Sequence, residues 1–586
     1  MTSSLGCTDP GIPECGALQR VFFTTLIAIV PLLIHLPVYQ MGDHIENKGT
    51  RPSAIVVGAG AGGVATAARL AASGYKVTVV EKNDFSGGRC SLIHRNGYRF
   101  DQGPSLLLLP RFFHETFEDL GTSLDAEGVK LVKCEPNYNV HFHDDTTFKL
   151  STDISIMKGE IERFEGKDGF ERYLGFLQES HRHYEVSIIH VLKKNFYSLL
   201  SMVRFDFLLH LFELHPFESI YYRASKYFWT ERLRRVVESL VNVGERLGVE
   251  FRFDSPIRNI QLSDDGKRAT GVVFEKNTKD PLTADVVVCN ADLAYAYNQL
   301  LPSSSFGRSL LKKEASCSSI SFYWALDRQF PELSAHNIFL AEDYKESFDS
   351  IFKKHLIPDQ PSFYVNVPSR VDPSAAPEGC DSIVILVPVG HLEVDSTNSH
   401  KGSKHTKGLT QDWDSMVASA RETVIKTMEA RFNISLGPHI IEETINTPPT
   451  WKSSFNLDRG AILGLSHSFF NVLSFRPKTK HRSIEDLYFV GASTHPGTGV
   501  PIVLAGAKLV TEQILYDRQQ ESRIPWRPLG TKETKASPGP LDRTQNGPYL
   551  SWLVWILLSI FLVFTTVPGA LYYQNQKAGN GLMGDW

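Results

Sequence analysis

The chain has 586 residues, of which 22% are charged and 42% hydrophobic, and its formal net charge at pH 7 is −4. This length allows roughly three or four domains, and the balanced charge predicts no nucleic-acid partner. The seven cysteines are scattered without C-x-x-C spacing. They therefore indicate neither a disulfide framework nor a metal site, and they favour free thiols in a reducing compartment.

The first 50 residues contain an apolar run, 21–39, which Pro31 and Pro37 interrupt. Only Arg20 precedes this run closely, and no small-residue cleavage site follows it. We interpret residues 1–50 as an N-terminal apolar segment and a candidate membrane anchor. A signal peptide and a wrongly assigned gene start are the alternatives.

A glycine-rich turn follows a short β-branched run at 55–57. Gly58, Gly60 and Gly63 have G-x-G-x-x-G spacing, and the alanine-rich residues 64–72 predict a helix. In such a turn the first glycine permits the bend, the second admits a pyrophosphate and the third allows close helix–strand contact. The phosphates then face the unpaired N–H groups at the helix N-terminus.

A second predicted strand, 76–80, ends in Glu81, where an acidic side chain can hold a ribose hydroxyl. Without this context the glycines would also fit a turn that binds nothing. Strand, helix and acid together predict a dinucleotide site. Downstream of Lys82 comes the run Gly87-Gly88-Arg89. Backbone without side chains can lie beneath the flat ring of a cofactor, while the arginine cation faces the ring or its phosphates.

The series of glycines, Glu81-Lys82 and Gly88-Arg89 resembles the flavoproteins that have two dinucleotide-binding domains. Within them, the stretch 81–110 looks like the phytoene desaturases of bacteria and fungi. The resemblance covers residues 54–515 and implies FAD, with Glu81 on the adenosine ribose. The expected fold class is α/β: a Rossmann-like two-dinucleotide-binding-domain flavoprotein with an interleaved α+β substrate domain and terminal membrane helices.

Residues 195–229 are dense in aromatic side chains with lysines and arginines between them. This mixture suits a helix at a lipid interface, and it equally suits an aromatic core with solvated basic tips. In the resembling family a segment of a few dozen residues follows the equivalent of Arg235, whereas here Val236 comes directly. Either the gene model lost that segment, or the substrate cavity is shortened, and the sequence leaves open whether such a protein is active.

A second glycine turn lies late in the chain, between a predicted strand that ends at Gly491 and a helix that starts near Val500. Helix N–H groups beside Gly499 would face the ribityl–pyrophosphate part of FAD. His495 lies in this turn and is a candidate proton acceptor, but a structural histidine is the more favoured reading. No catalytic residue is assigned.

Residues 550–567 are an uncharged apolar run with aromatic borders, long enough to span a bilayer. Six basic residues lie in the upstream flank against Lys577 alone downstream, which predicts a cytosolic catalytic part. We therefore expect a membrane protein, most plausibly of the endoplasmic reticulum.

The expected organisation follows from these features. In chain order it comprises the N-terminal segment (1–50), FAD-domain parts (51–110, 236–292, 481–516), substrate-domain parts (111–235, 293–480), a linker (517–548), a transmembrane helix (549–573) and a tail (574–586).

The resemblance implies hydride transfer from 15-cis-phytoene to flavin, toward lycopene or a more unsaturated product, with oxygen or a membrane quinone as electron acceptor. Such chemistry needs an apolar tunnel open to the lipid bilayer and few polar residues. A flavin amine oxidase, a non-catalytic prenyl-binding protein of the GDP-dissociation-inhibitor type and an inactive desaturase paralogue are the alternatives. Because no cysteine follows Cys380, flavin attachment to a late cysteine is excluded.

Overall fold

The computed structural model describes residues 51–103, 108–198, 201–202, 246–247, 249–276, 280–393 and 411–518. The expected N-terminal anchor, most of the aromatic-rich segment, the 235/236 junction and the membrane helix at 549–573 lie outside these residues. Within them, no helix has the length and apolar character needed to cross a membrane.

The strands fall into four sheets. In chain order they are β1 Ser53–Val57, β2 Lys76–Val80, β3 Leu92–Arg95, β4 Tyr98–Asp101, β5 Tyr138–His141, β6 Thr147–Leu150, β7 Glu250–Arg252, β8 Ile257–Leu262, β9 Ala269–Phe274, β10 Leu282–Thr283, β11 Val286–Cys289, β12 Ser318–Leu326, β13 His336–Phe339, β14 Phe363–Asn366, β15 Asp381–Val389, β16 Ile440–Asn446 and β17 Leu487–Phe489.

The α-helices lie between and after these strands. They are α1 Ala61–Ala72, α2 Pro110–Asp119, α3 Ile154–Glu165, α4 Gly169–Ser187, α5 Leu293–Tyr295, α6 Ser305–Leu310, α7 Tyr344–Phe352, α8 Trp413–Phe432, α9 Pro448–Phe455 and α10 Val500–Asp517.

The first sheet is parallel, with strand order β17-β11-β1-β2-β7. Its central strands β1, β2 and β11 are short β-branched runs because both of their faces are buried. Val56 and Val77 face a core shared with α1, α2 and α10, whereas Ile55 and Val57 face the three-stranded sheet β10-β9-β8. This arrangement confirms the expected Rossmann-like α/β core.

The second large sheet has seven strands in the order β16-β12-β15-β14-β13-β5-β6. It is antiparallel except for the parallel pair β13–β5. Helix α8 covers one face with residues spaced four apart, so that they form one stripe on the helix. These residues are Met416, Ala420, Val424 and Met428. The hairpin β3–β4 packs against the opposite face through Tyr98 and Phe100.

Two expectations about strands need correction. The sequence pattern of residues 249–253 and 271–274 predicts the two strands of a hairpin, but β7 pairs in parallel with β2, and β9 pairs with β8 and β10. The alternation in 319–325 predicts a strand with one buried face, yet every residue of β12 is buried, because α8 and the β3–β4 hairpin cover opposite faces.

Two segments next to expected domain boundaries pack against the parallel sheet, while the boundaries themselves stay a prediction. Phe113 and Phe117 of α2 lie in the core beneath the parallel sheet, so this helix packs with the expected FAD domain although it follows residue 110. Likewise, Leu293 and Leu300 pack on the other face of that sheet, past the expected limit at residue 292. The apolar faces of these segments, rather than their place in the sequence, determine which domain they join.

A buried ion pair anchors the start of β15, and its removal should destabilise the fold. Arg370 binds both carboxylate oxygens of Asp381 at 2.6 and 2.7 Å, and Asp381 is 0% exposed. We expect Asp381→Ala to lower the free energy of unfolding by about 3 kcal/mol, because an uncompensated cation stays buried. Urea denaturation of both proteins measures this difference.

The matched control is Glu422→Ala, which removes an exposed pair with Lys426 on α8. This control should leave the urea transition unchanged, since exposed ion pairs contribute little. Equal destabilisation by both substitutions would contradict the structural role of Asp381.

Candidate functional site

The early glycine turn brings the start of α1 against the end of β1. Gly58 has φ +94°, and a Cβ on Gly63 would lie 2.1 Å from the Gly58 carbonyl oxygen. Gly60 is the N-cap of α1, and because it has no side chain it leaves the first N–H groups of the helix uncapped. The first N–H groups of α1 can therefore receive an anion at the carboxyl edge of the parallel sheet.

Asn290, directly after β11, lies between the two glycine turns. Its Nδ2 donates to the Gly58 carbonyl oxygen at 3.3 Å. A Cβ on Gly60 would lie 2.9 Å from this Nδ2, and a Cβ on Gly491 would lie 3.4 Å from its Oδ1. Sequence reasoning did not single out this residue, although its position at the end of a buried parallel strand was a usable signal.

Glu81 is 7% exposed and binds the early turn. Its Oε2 accepts a hydrogen bond from the Ala59 N–H at 2.8 Å, and its Oε1 accepts from the N–H and Nδ2 of Asn83, both at 3.0 Å. A carboxylate has about four acceptor sites, so one remains for a ribose hydroxyl.

Lys82 is held by the end of α9 and the residues after it. Its Nζ donates to the Ser453 carbonyl oxygen at 2.9 Å and to Asn456 Oδ1 at 3.1 Å. Burial lowers the pKa of this ammonium. These contacts give Lys82 a structural role between β2 and α9, and its expected part in cofactor binding stays a prediction.

The Gly87-Gly88-Arg89 run lies beside the early turn. Gly87 donates its N–H to the Ala59 carbonyl oxygen at 2.9 Å, and a Cβ on Gly88 would lie 3.5 Å from the Gly60 Cα. Gly87 and Gly88 have φ of +93° and +55°, so this close approach uses backbone conformations that favour glycine.

Arg89 is a cation without a hydrogen-bond or ion-pair partner among the residues that the structure describes. Burial lowers its pKa, and Asp292 acts in the opposite direction. Burial raises the pKa of Asp292 itself to about 6. Both residues are partly accessible, and a guanidinium without an acidic partner in the described part of the chain is suited to bind an anion.

The late turn reaches the same place from the other end of the chain. Gly491 and Gly499 have φ of +132° and +98°, and Gly499 precedes α10 without a side-chain cap. Ala61, Cys90 and Val500 form one apolar cluster. The starts of α1 and α10 and the segment around Arg89 are therefore neighbours, as the expected cofactor position requires.

His495 is 2% exposed and its ring is held by neighbouring groups. Nε2 lies 2.8 Å from the Lys194 carbonyl oxygen, and the ring packs edge-on against Phe196 with centroids 5.2 Å apart. These contacts are those of the structural histidine favoured from the sequence.

Comparison with protein families agrees with this geometry. Residues 56–120 match the NAD(P)-binding Rossmann-like domain, and residues 191–515, more than half of the chain, match the flavin containing amine oxidoreductases. The first match contains the early turn and the second ends beyond the late turn.

Several similar proteins of known name are fungal. A phytoene desaturase of Fusarium fujikuroi is 57% identical, with 87% of this chain and 98% of the relative covered. Those of Cercospora nicotianae (52%; 89% and 98% covered) and Phycomyces blakesleeanus (43%; 88% and 92% covered) follow. The Fusarium alignment runs over 564 positions, more than the covered part of this chain contains, so several dozen residues of that relative have no counterpart here.

The early turn can be tested with Gly63→Ala. The added methyl would meet the Gly58 carbonyl oxygen, so β1 and α1 must separate and the anion-binding N–H groups move. We expect the dissociation constant for FAD to rise at least about tenfold, measured by fluorescence titration of the apoprotein. Gly159→Ala in α3 is the control, since nothing lies within 4 Å of its new Cβ; similar FAD binding by the two variants would contradict the assignment.

Asp292 gives the apoprotein a pH-dependent stability. Because its pKa is raised from 3.8 to about 6, the folded state prefers the neutral carboxyl, and that preference is lost as pH rises through 6. Asp292→Asn should be close to the wild type near pH 4 and more stable at pH 7.5 by about 3 kcal/mol. Urea unfolding at both pH values measures this difference in the free energy of unfolding. Substitution of the exposed Asp264→Asn is the control. If Asp292→Asn stabilised the protein only at low pH, the role assigned to Asp292 would be contradicted.

Proposed function

This chain belongs to the flavin containing amine oxidoreductases and, within them, to the phytoene desaturases, and we propose that it introduces double bonds into 15-cis-phytoene. The expected product is lycopene or a more unsaturated polyene. The observation that carries the proposal is the meeting of the two glycine turns around Asn290. This meeting occurs in a chain that aligns with phytoene desaturases along most of its length.

The residues at the two turns fit FAD, the cofactor of this family. The glycine turn, which a Cβ at Gly60 or Gly63 would obstruct, lies beside Glu81, and Arg89 supplies a cation without an ionic partner among the described residues. Glu81 would hold the adenosine ribose, while the N-terminus of α1 and Arg89 would hold the pyrophosphate. When bound, the flavin supplies the hydride acceptor.

The seven-stranded sheet offers an apolar surface for the polyene. On the face opposite α8, Leu386, Tyr364 and Ile338 are paired across neighbouring strands, so they form one row, and all three are partly accessible. Tyr323 on the same face donates its hydroxyl to the Gln102 carbonyl oxygen at 2.6 Å, near the Arg89 segment. These side chains would orient an extended hydrocarbon and exclude water from the reacting bond.

The membrane is the proposed source of the substrate. A polyene of this kind dissolves in lipid, and the apolar run at 549–573 is long enough to anchor the chain in a bilayer. The excess of basic residues upstream of the run favours a cytosolic catalytic part at the endoplasmic reticulum. Oxygen or a membrane quinone would accept the electrons.

A second candidate is an inactive desaturase paralogue that keeps FAD. It is favoured by one observation, the several dozen residues of the Fusarium relative that have no counterpart here. Loss of part of the substrate cavity would leave the residues around the flavin intact. Flavin content and substrate conversion therefore have to be measured separately.

The activity test uses the full-length protein, purified in detergent and returned to liposomes that contain 15-cis-phytoene. We expect a flavin spectrum and, in the presence of oxygen or a quinone, new long-wavelength absorption bands of longer conjugated polyenes. Gly63→Ala protein in the same liposomes is the control. Bound flavin without new polyene bands would support the inactive paralogue, and absence of flavin would contradict both candidates.

The membrane proposal has its own test. Deletion of residues 549–586 should move the protein from the membrane pellet to the supernatant after carbonate extraction, because the bilayer-spanning run is removed. Deletion of 574–586 alone is the control and should leave the protein in the pellet. Because residues 1–50 are a second candidate anchor, both deletions are made in a chain that lacks residues 1–50, and retention of the longer deletion in the pellet would then contradict an anchor at 549–573.

A further inference from the structure

Arg476 is buried behind the late turn, and among the described residues it bonds only to main-chain oxygens. The side chain is 1% exposed, with Nε 3.0 Å from the Thr494 carbonyl oxygen and Nη1 2.7 Å from that of Asn471. Its remaining acceptors are the carbonyl oxygens of Ala492, Leu465 and Ser466. One side chain thereby joins three segments, 465–466, 471 and 492–494.

The charge of Arg476 is not neutralised by an acid within the part of the chain that the structure describes. Burial lowers its pKa to about 10, so the guanidinium stays protonated at neutral pH. A buried cation is costly unless dipoles or an anion compensate it. Here the dipoles of carbonyl groups compensate the charge of Arg476. Two of these carbonyl groups, those of Ala492 and Thr494, belong to the late turn itself.

A neighbouring histidine holds the next part of the same turn. Burial and the charge of Arg476 lower the pKa of His467 to about 4, so its imidazole is neutral at pH 7. Nε2 accepts a hydrogen bond from the Thr498 N–H at 3.4 Å, and a Cβ on Gly497 would lie 2.6 Å from it. The turn is thus supported at 492–494 by Arg476 and at 497–498 by His467.

We propose that Arg476 is a positioning residue for FAD. It fixes the carbonyl groups of Ala492 and Thr494, so that the chain enters α10 with its uncapped N-terminus next to that of α1. Its un-neutralised charge also adds a favourable long-range interaction with the anionic cofactor. A lysine at position 476 would keep the charge, but it lacks the planar guanidinium group with which arginine bonds to several carbonyl groups at once. This inference rests on the proposed position of FAD between the two turns.

The test compares Arg476→Lys and Arg476→Gln with Arg482→Gln, an exposed arginine six residues later. For each full-length apoprotein, the dissociation constant for FAD, the thermal unfolding temperature and the midpoint potential of the bound flavin are measured. We expect the dissociation constant to rise about tenfold for Lys and about a hundredfold for Gln. The flavin potential should become more negative in the Gln variant and change less in the Lys variant, because only Gln removes the charge.

The control should behave as the wild type, and both Arg476 apoproteins should unfold cooperatively within a few degrees of it. Unchanged affinity and potential in both variants would overturn the proposal. Loss of the folded apoprotein would also overturn it, since the arginine would then support the core rather than the turn. None of these measurements uses phytoene, so they test the role of Arg476 even if the protein has no desaturase activity.

Discussion

The contact of the Gly63 backbone with the Gly58 carbonyl oxygen is the constraint on which the site depends. A methyl group would not fit between them, and only this approach lets α1 begin at the carboxyl edge of the parallel sheet. Asn290 then connects that turn to Gly491, and α10 packs beside α1. Each later element of the site is placed relative to this one close approach.

Much of this arrangement could be predicted from local sequence. The strand 76–80 and the start of α10 at Val500 are where the pattern indicated, because β-branched runs and glycines specify them locally. The Glu81 carboxylate lies at the early turn because a parallel strand carries it there. The family and its cofactor were also indicated by these motifs, and the comparisons confirm them.

The features that were missed depend on contacts distant in sequence. Asn290 and Arg476 look ordinary in the chain, and only folding places one between the glycine turns and the other behind the later turn. The pairing of β7 with β2 had no local signal either, since a three-residue strand at a sheet edge carries too little pattern. The composition of an apolar segment such as α2 fits either domain, and its packing determines which domain it joins.

The late turn has a consequence for biosynthesis. The early turn leaves the ribosome long before α10 is made, yet the two helix starts form the site together. A nascent chain that stops at residue 480 therefore contains the early glycine turn of the FAD site but not the late one. Cofactor loading must then wait until α10 is made, and translation products truncated before it would remain colourless.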